Sequence, residues 1–505
     1  MRSKKAIKNI ISSLLQQIIT IICGLILPRT IIGTYGSNVN GLVSSITQFL
    51  AYITLLEAGI GPVVKSVLYK PIANKDNEQV EKILKAAQKF FNVIAYIFIV
   101  YLLILCFVYP MLVNTEFGIG YTVSLILIIS ISTFAEYFLG MVYKLYLQAN
   151  QKTYITANIQ SITTILNTIL CVVLIKLGAS IQIVKLVSSF VFVLRPLIQN
   201  IYVKNKYDIN LKDVKKKFDL KQKWDGLAQH IAAVIHDNTD ITLLTIFTDT
   251  AEVSVYSVYM FVIKGIRNLI QAFVSGIDSA FGDMYVNNEQ ENLNKSFKVY
   301  ELFYYTIITI IFSCVLGLIL PFVQVYTKGV TDVNYCRPIF AYLIIIAEYI
   351  WAIRLPYNSI ILAIGHFKET QKGAWIETIT NIIISLILVS KLGMTGVAIG
   401  TLVAMTIRTV EFLHHSAKYI LKRKEIYAYK HVLILIIETV IVLNIINFIT
   451  RDIIFFNYII LIKYSIISLL ISSTLTILFN GIVYMSETKE IINRIIEKRK
   501  NKESM

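Results

Sequence analysis

Charged side chains interrupt the apolar runs of this sequence, and two of them are spaced to act together. Lys264 and Arg267 are three residues apart within one run, so they share a face if the run is a helix. Two positive charges that point in one direction suit a polyanion such as a diphosphate. The alternative is that they pair with Asp237, Asp240 or Asp278 and hold neighbouring helices together.

A second group of polar residues has the chemistry of a cation or proton site. Carboxylate, amide and hydroxyl oxygens are what a hard cation or a transferable proton needs. Three of the apolar runs supply them, at Asp237, Asp240, Glu377, Asn381 and Thr401. Glu377 and Asn381 are four apart and share a helix face. These residues are candidates for coupling to H⁺ or Na⁺, with interhelical hydrogen bonding as the alternative, and no other cofactor or metal is expected.

Two further charged residues lie near the ends of apolar runs. Arg29 follows Pro28 at the end of the first run, where an arginine ordinarily anchors a helix at the membrane interface. Glu57 begins a stretch rich in small residues, 57–62, near the end of the second run. Small residues let a neighbouring helix approach closely, so this stretch is either a packing motif or a gate with Glu57 as its counter-charge.

Membrane-spanning helices must position all these residues. Of the 505 residues, 56% are hydrophobic and 16% are charged, whereas soluble proteins have about 25% charged residues. The apolar runs reach the length of about 20 residues that crosses a bilayer as a helix. The sequence therefore predicts an all-α polytopic membrane protein rather than a soluble enzyme. The fourteen predicted spans are 9–32, 40–62, 90–113, 120–146, 154–176, 179–203, 224–247, 253–281, 300–322, 336–361, 373–391, 395–418, 431–450 and 457–485.

The distribution of basic residues predicts the orientation. The chain has 48 basic and 31 acidic side chains, a formal charge of +17. Alternate loops carry 35 Lys and Arg on the side of the N-terminus and 6 on the other side, so the positive-inside rule predicts that both termini are cytoplasmic. Because the positive charges lie in loops beside the membrane, they fit contact with bilayer lipids, and no nucleic acid partner is expected. The five cysteines are far apart and predict neither disulfides nor a metal site.

Short strings recur at a nearly constant separation and predict an internal duplication. Residues 135–137 (Ala-Glu-Tyr) return as 347–349, and residues 176–178 (Lys-Leu-Gly) return as 391–393. The offset maps spans 1–6 onto spans 7–12 with the same orientation. Two such bundles, with a site near the midplane where they meet, are typical of alternating-access transporters. The predicted domains are an N-terminal bundle (1–203), a basic cytoplasmic linker (204–223), a C-terminal bundle (224–420), two extra helices (421–485) and a basic cytoplasmic tail (486–505).

Two stretches near the N-terminus carry a family resemblance. Residues 27–36 (Leu-Pro-Arg-Thr-Ile-Ile-Gly-Thr-Tyr-Gly) place an arginine before a glycine-bearing turn, and residues 57–64 (Glu-Ala-Gly-Ile-Gly-Pro-Val-Val) form an acidic, glycine-rich patch. This opening resembles that of the oligosaccharide-lipid flippases, which belong to the multidrug, oligosaccharidyl-lipid and polysaccharide exporter superfamily. With six plus six spans, a basic central loop and two extra helices, the resemblance covers nearly the whole chain and implies a MATE-like fold.

The resemblance also implies a function and a partner. It makes Arg29, Lys264 and Arg267 candidates for binding the diphosphate of an undecaprenyl-linked oligosaccharide within a cationic central cavity. The chain would move such repeat units across the bacterial cytoplasmic membrane for surface polysaccharide, next to the polysaccharide polymerase machinery. Relatives that move the peptidoglycan precursor often carry an acid directly after this arginine. Here Thr30 follows instead, which favours surface-polysaccharide units.

Several other functions remain as alternatives. A peptidoglycan lipid-precursor flippase and a drug or cation antiporter share the same fold, although a drug exporter would prefer an acidic cavity. A major-facilitator carrier usually has twelve spans. A membrane-embedded polymerase or ligase would need a large external loop, and the longest outward loop, 322–337, is too short to form a domain. The sequence lacks a phosphate-binding loop for ATP and a recognisable nucleophile motif, so we expect a transporter and not an enzyme.

Overall fold

The protein is built from helices. The structure is a computed structural model and describes residues 2–57, 60–113, 116–207, 209, 211, 227–274, 278–366 and 369–485. Every regular element in these ranges is helical. The all-α prediction is therefore confirmed.

Within the described ranges, thirteen helices are long and apolar enough to cross a membrane. Their outer faces carry large exposed apolar side chains, such as Phe107 (68% exposed) and Phe448 (77% exposed). An apolar surface of this extent is unfavourable in water and favourable in a bilayer. The chain is thus a multi-pass membrane protein, as predicted. A further helix, Leu227–Phe247, lies where the seventh of the fourteen spans is predicted.

The chain divides into two compact units. Unit 1 comprises Met1–Ser257 and Gly329–Val333. Its helices are α1 (Arg2–Tyr35), α2 (Ser37–Ala51), α3 (Ile60–Asn74), α4 (Asn77–Leu112), α5 (Ile119–Ala135), α6 (Met141–Ala149), α7 (Thr153–Lys176), α8 (Ile181–Tyr207), α9 (Leu227–Phe247) and the beginning of α10 (Thr250–Val274). A 3₁₀ turn (Tyr52–Glu57) extends α2, and a π-helical turn (Glu136–Gly140) joins α5 to α6.

The core of unit 1 is apolar. Helix α1 packs along α7, and α7 and α5 each pack on α8. Fully buried side chains include Leu42 of α2, Phe91 and Phe98 of α4, and Leu147 of α6. These helices bury one apolar stripe against each other and expose another, as expected where lipid replaces water as the outer solvent.

Unit 2 comprises Val258–Lys328 and Asn334–Met505. It contains the end of α10 and, in chain order, α11 (Asp278–Val286), α12 (Gln290–Tyr326), α13 (Pro338–Ile364), α14 (Gln371–Leu392), α15 (Met394–His415), α16 (Ile426–Thr450) and α17 (Tyr458–Val483). A π-helical turn (Ser416–Ile420) extends α15. Helices α13, α14 and α15 pack together, whereas α16 and α17 pack on α12.

The order of helices in unit 1 recurs in unit 2. The long helix α4 and the long helix α12 have 36 and 37 residues, with Pro110 and Pro321 near their ends. Each is followed by three further spans, which are α5–α6, α7 and α8 in unit 1 and α13, α14 and α15 in unit 2. This recurrence matches the spacing of the repeated strings.

Two glycines in unit 1 are required by the backbone. Gly36 separates α1 from α2 with a φ of +86°, a backbone conformation that residues other than glycine rarely adopt. Gly41 lies against the start of α10, where a Cβ atom at position 41 would be 1.6 Å from the carbonyl oxygen of Thr250. Glycine at this position therefore lets the two backbones touch.

Candidate functional site

Arg267, the first candidate for anion binding, forms a two-pronged ion pair inside unit 2. Its Nε atom lies 2.5 Å and its Nη2 atom 2.7 Å from the two carboxylate oxygens of Glu348 on α13. The ring of Trp351 lies 5.0 Å from the guanidinium carbon. Glu348 is buried, and Arg267 is partly exposed. One partner of Arg267 is thus Glu348, a residue of the repeated Ala-Glu-Tyr string.

Lys264 and Arg29, the other two candidates, are more accessible. Lys264 lies on α10 one turn before Arg267 and is exposed. Arg29 is half-buried, and its guanidinium folds along α1 toward Gly33, where a Cβ atom would lie 3.4 Å from Nη1. A bulkier residue at position 33 would therefore restrict Arg29. Arg29 belongs to unit 1, and the two basic residues of α10 belong to unit 2.

Glu57 ends the 3₁₀ turn that follows α2. It accepts a hydrogen bond of 2.5 Å from the hydroxyl of Tyr137, which lies in the π-helical turn. Tyr137 is buried, and Glu57 is half-buried. The contact joins the end of the second span to the fourth span of unit 1, as a gate or a packing contact would.

The structure brings together part of the predicted ion site in unit 2. The side-chain amide of Asn381 on α14 donates to the hydroxyl of Thr401 on α15, at 3.1 Å. Ser385, one turn after Asn381, donates to the backbone oxygen of Val397 at 3.4 Å. All three side chains are buried. They form a small oxygen-rich cluster between two helices.

Glu377 does not point at this cluster but at two guanidinium groups. Its carboxylate lies 2.7 Å from Nη1 of Arg354 and 3.5 Å from Nε of Arg408. Arg408 is also 2.5 Å from Glu411 and donates to the backbone oxygen of Thr370. Two arginines and two glutamates thus compensate one another among α13, α14 and α15. A cation approaching Glu377 would also meet the two guanidinium charges.

The remaining ion-site candidates lie on α9. Asp240 is buried and accepts a hydrogen bond of 3.0 Å from the hydroxyl of Tyr256 on α10. The side chain of Asp237 lies outside the described residues. Asp240 belongs to unit 1, and Glu377, Asn381 and Thr401 belong to unit 2. In the part of the chain that the structure describes, no group of three or more His, Cys, Asp or Glu side chains could hold a metal ion.

A seam of small polar residues joins α2 to α9 in unit 1. The hydroxyl of Ser45 accepts a hydrogen bond of 2.7 Å from Thr245, and the hydroxyls of Tyr52 and Thr242 lie 2.8 Å apart. The side-chain amide of Gln48 donates to Asn238 between these two contacts. The seam thus runs along the length of α2.

The seam continues from α2 to the start of α10. Asn38 accepts a hydrogen bond of 2.9 Å from Thr250, and Asn40 donates to Ser254 at 2.8 Å. At the first turn of α2, the backbone amide and hydroxyl of Ser37 donate to Asp332, at 2.6 and 2.8 Å. All these residues belong to unit 1. Apart from Asp332, the seam residues that have been named are uncharged.

This seam was not among the predicted features, although the sequence contains a signal for it. Gly41, Ser45, Gln48 and Tyr52 follow one another at intervals of four, three and four residues, which places them on one helix face. Residues 238, 242 and 245 have the same spacing. A stripe of small and polar residues within a span is typical of close helix packing in membranes.

Two groups of solved transporter structures resemble the chain. The lipid II flippase MurJ, in an inward closed conformation, matches with a TM-score of 0.70 and 16% identity over 95% of this chain and 99% of that chain. An inward-facing multidrug resistance transporter of the MATE family, from the MOP superfamily, matches with a TM-score of 0.60 and 16% identity over 83% and 99%. A Vibrio cholerae MATE transporter matches with a TM-score of 0.57 and 14% identity over 84% and 99%.

By sequence, no family model and no curated protein matches the chain. At 14 to 16% identity the structural matches establish the architecture and leave the substrate open. The protein has the fold that the lipid II flippase MurJ and the MATE transporters of the MOP superfamily share.

Proposed function

We propose that the protein is a flippase that moves undecaprenyl-diphosphate-linked oligosaccharide repeat units across the bacterial cytoplasmic membrane by alternating access. The observation that carries this proposal is the match to a lipid II flippase over 95% of the chain. A lipid-linked saccharide combines a long apolar tail with a charged, hydrophilic head. A protein of this fold would shield the head from hydrocarbon, where each charge is costly.

The basic residues of the spans support an anionic substrate. Arg29, Lys264 and Arg267 supply positive charge on two membrane-spanning helices, α1 and α10. A diphosphate could replace Glu348 as the partner of Arg267. A carboxylate and a phosphate are both oxyanions, and a guanidinium binds either of them through two hydrogen bonds. The net direction of transport would come from an ion gradient, the membrane potential or consumption of the product, and a polysaccharide polymerase would be the consumer.

The length of the structural matches favours a lipid-linked substrate over a drug. The flippase covers 95% of this chain, whereas the MATE transporters cover 83% and 84%. A twelve-span transporter that lacks equivalents of α16 and α17 would match a smaller share of this chain. Because the two additional helices pack on α12, they enlarge the apolar surface of unit 2, where a polyprenyl tail would lie.

A second candidate function is transport of the peptidoglycan lipid precursor, and the structural similarity to the lipid II flippase MurJ favours it. The two substrates share the polyprenyl diphosphate and differ in the sugar. Thr30, which follows Arg29, is the sequence feature that favours repeat units. Depletion of the protein in cells should distinguish the two substrates, because each would accumulate as a different lipid-linked precursor on the inner leaflet.

The cellular test uses depletion followed by complementation. We expect lipid-linked repeat units to accumulate on the inner leaflet after depletion and to clear when the wild-type chain is restored. The triple variant Arg29→Ala, Lys264→Ala, Arg267→Ala should fail to clear them. Lys463→Ala, which removes one exposed basic residue of α17, is the matched control and should clear them. Clearance by the triple variant would contradict the anion-binding role.

A further inference from the structure

Unit 1 contains a polar pocket that the proposed function does not use. It lies among α5, α6, α7 and α8, within helices long enough to cross a membrane, and has a volume of about 100 Å³. Its charged lining residues are Glu136, Lys144 and Arg195, and the amides of Gln160 and Gln199 face it as well. A cavity of this composition inside a bilayer-spanning segment calls for a functional explanation.

Arg195 is held in a fixed orientation at one wall of the pocket. Its Nε and Nη2 atoms donate to the hydroxyls of Thr163 and Thr164 on α7, each at 2.8 Å. Its guanidinium carbon lies 4.1 Å from the ring centre of Phe192. A guanidinium offers five N–H donors in one plane, and the two threonines accept two of them. These contacts orient Arg195 but, being neutral, do not compensate its charge.

The charges that line the pocket leave an excess of positive charge. Glu136 and Lys144 form an ion pair with a distance of 2.8 Å, and Arg195 adds a second cation. Unit 2 provides an internal contrast, because Arg408 on α15 has carboxylates of Glu377 and Glu411 within 3.5 Å. Among the described lining residues of unit 1, one carboxylate accompanies two cations. Charge attraction is strong at low dielectric, so the excess positive charge favours an anionic occupant.

The π-helical turn shapes one wall of this pocket. Residues seven apart share a face of a regular α-helix, and the extra residue of a π turn brings residues eight apart onto one face. Glu136 and Lys144 are eight apart and meet across the turn Glu136–Gly140. Gly140 lets α8 approach, since a Cβ atom there would lie 2.6 Å from Cβ of Pro196.

The surroundings of the pocket suit a lipid. The Glu136 side chain is 50% exposed, so the pocket is open beside it. On α8, the apolar lining residues are Phe192, which is half-buried, and Pro196, which is buried. Lys144 is five residues from the end of α6, or about 8 Å at the rise of an α-helix. The charged end of the pocket thus lies near the end of a span, at the depth where the phosphate groups of membrane lipids lie.

We propose that this pocket binds the phosphate group of a membrane lipid. Arg195 donates two hydrogen bonds to the phosphate, as guanidinium groups do to oxyanions. Lys144 adds charge, and Gln160 and Gln199 donate to the remaining oxygens. The site is separate from Arg29, Lys264 and Arg267, and it does not depend on the proposed function.

Lipid binding to the purified full-length chain tests this proposal. Phosphatidylglycerol is titrated against the protein in detergent, and the bound lipid is measured by native mass spectrometry, with phosphatidylcholine as the neutral-headgroup comparison. We expect phosphatidylglycerol to bind more tightly than phosphatidylcholine. Arg195→Gln should weaken phosphatidylglycerol binding about tenfold or more. Glu136→Gln should strengthen it, because the variant removes the one carboxylate among the lining residues that the structure describes.

Lys463→Gln, which removes one basic residue from a span of unit 2, is the matched control and should leave the affinity unchanged. Unchanged affinity in Arg195→Gln, or equal affinity for phosphatidylcholine, would overturn the proposal. If Arg195→Gln does not fold, the affinity of Glu136→Gln for phosphatidylglycerol is the test. Weaker binding by that variant would also overturn the proposal.

Competition identifies the source of the phosphate. Farnesyl diphosphate, a short polyprenyl diphosphate, and inorganic phosphate are each added to the protein bound to phosphatidylglycerol. If farnesyl diphosphate displaces the bound lipid at a lower concentration than added phosphatidylglycerol does, the pocket is assigned to polyprenyl lipids. If phosphatidylglycerol displaces it at the lower concentration, the pocket is assigned to bulk phospholipid. Displacement by inorganic phosphate at the same concentration as by the lipids would overturn a lipid site.

Discussion

At the scale of residues, several charged side chains of unit 2 are held by other charged side chains. Glu348 binds Arg267 through both of its oxygens, and Glu377 lies between Arg354 and Arg408. Removing one partner of such a buried pair leaves the other charge uncompensated, which is more costly than replacing both. A substrate anion is a group that could take the place of a carboxylate partner without this cost.

The pair Arg267–Glu348 gives the first prediction. If Arg267 binds the diphosphate, Glu348→Gln should keep most of the flipping activity, whereas Arg267→Gln should lower the initial rate about tenfold or more, since charge-assisted hydrogen bonds are lost. Both variants are measured on the reconstituted protein at equal amounts of folded chain. Equal loss of activity in the two variants would show that the pair only joins α10 to α13.

The carboxylates of α9 give a prediction about coupling. Asp237→Asn combined with Asp240→Asn removes two groups that could carry a proton or bind Na⁺. We expect the double variant to lose the response of transport to an imposed H⁺ or Na⁺ gradient. Asp452→Asn, the same change at an exposed residue between α16 and α17, is the control. Full sensitivity to the ion gradient in the double variant would refute coupling through these residues.

Sequence spacing could predict contacts along one helix better than contacts between helices. It placed Glu377 and Asn381 on one face, and Asn381 does contact Thr401. It could not show that Glu377 contacts Arg354 and Arg408, because these residues come from α13 and α15. Which side chains of different helices meet depends on helix rotation and packing, which the spacing within each helix leaves undetermined.

At the scale of elements, α2 contacts α9 and α10 through small polar groups and a close glycine contact. Interhelical hydrogen bonds in membranes contribute about 0.6 to 2 kcal/mol each. Because these contacts are weak singly and mostly uncharged, α2 can separate from α9 and α10 without leaving a buried charge unpaired. The seam is thus suited to opening and closing during alternating access.

Cross-linking of the seam tests this movement. The side chains of Asn40 and Ser254 are in hydrogen-bond contact, so Asn40→Cys with Ser254→Cys should form a disulfide after the five native cysteines have been replaced. We expect oxidation to stop flipping and reduction to restore it. Each single cysteine variant is the control. Undiminished flipping by the fully cross-linked protein would show that the seam stays closed throughout transport.

A buried ion cluster attaches α16 to α12. Nη2 of Arg423 and Nδ1 of His431 each lie 3.2 Å from the carboxylate of Glu301, whose side chain is 1% exposed. Tyr357 of α13 also donates to this carboxylate. Burial alone would lower the pKa of Arg423, but the negative charge of Glu301 raises it above its ordinary value. Arg423 therefore stays charged and joins the loop before α16 to α12 and α13.

Arg423→Met should consequently destabilise the protein strongly. The change leaves Glu301 buried without its arginine, which costs about 3 to 5 kcal/mol. The free energy of unfolding in detergent is the measurement. Lys424→Met, the exposed neighbour, is the control and should change it by less than about 0.5 kcal/mol. A similar small change for Arg423→Met would contradict the anchoring role.

Helix positions could be predicted from hydropathy, but helix ends and irregular turns could not. The second predicted span, 40–62, contains most of α2 (Ser37–Ala51), a 3₁₀ turn (Tyr52–Glu57) and the start of α3. The predicted loop 63–89 forms most of α3 and the start of α4. Hydropathy indicates only which residues are stable in hydrocarbon. A helix extends beyond the bilayer as long as its backbone hydrogen bonds continue.

At the scale of the whole molecule, composition and charge distribution were enough to predict the class of fold. Long apolar runs separated by short basic loops allow few solutions other than helices that span a membrane. The duplication showed in short repeated strings, and the order of α4 to α8 recurs in α12 to α15. The substrate could not be predicted in the same way, because it depends on a few side chains in a fold that carries several functions.

Reconstitution of the purified chain tests the central claim most directly. The protein is placed in liposomes with a fluorescent polyprenyl-diphosphate-linked oligosaccharide in one leaflet, and an added glycosidase that cannot cross the membrane reports the sugars that reach the other leaflet. We predict that transfer requires the wild-type chain and is lost in the triple variant Arg29→Ala, Lys264→Ala, Arg267→Ala. Transfer at the rate of protein-free liposomes, or equal transfer by the triple variant, would contradict the account.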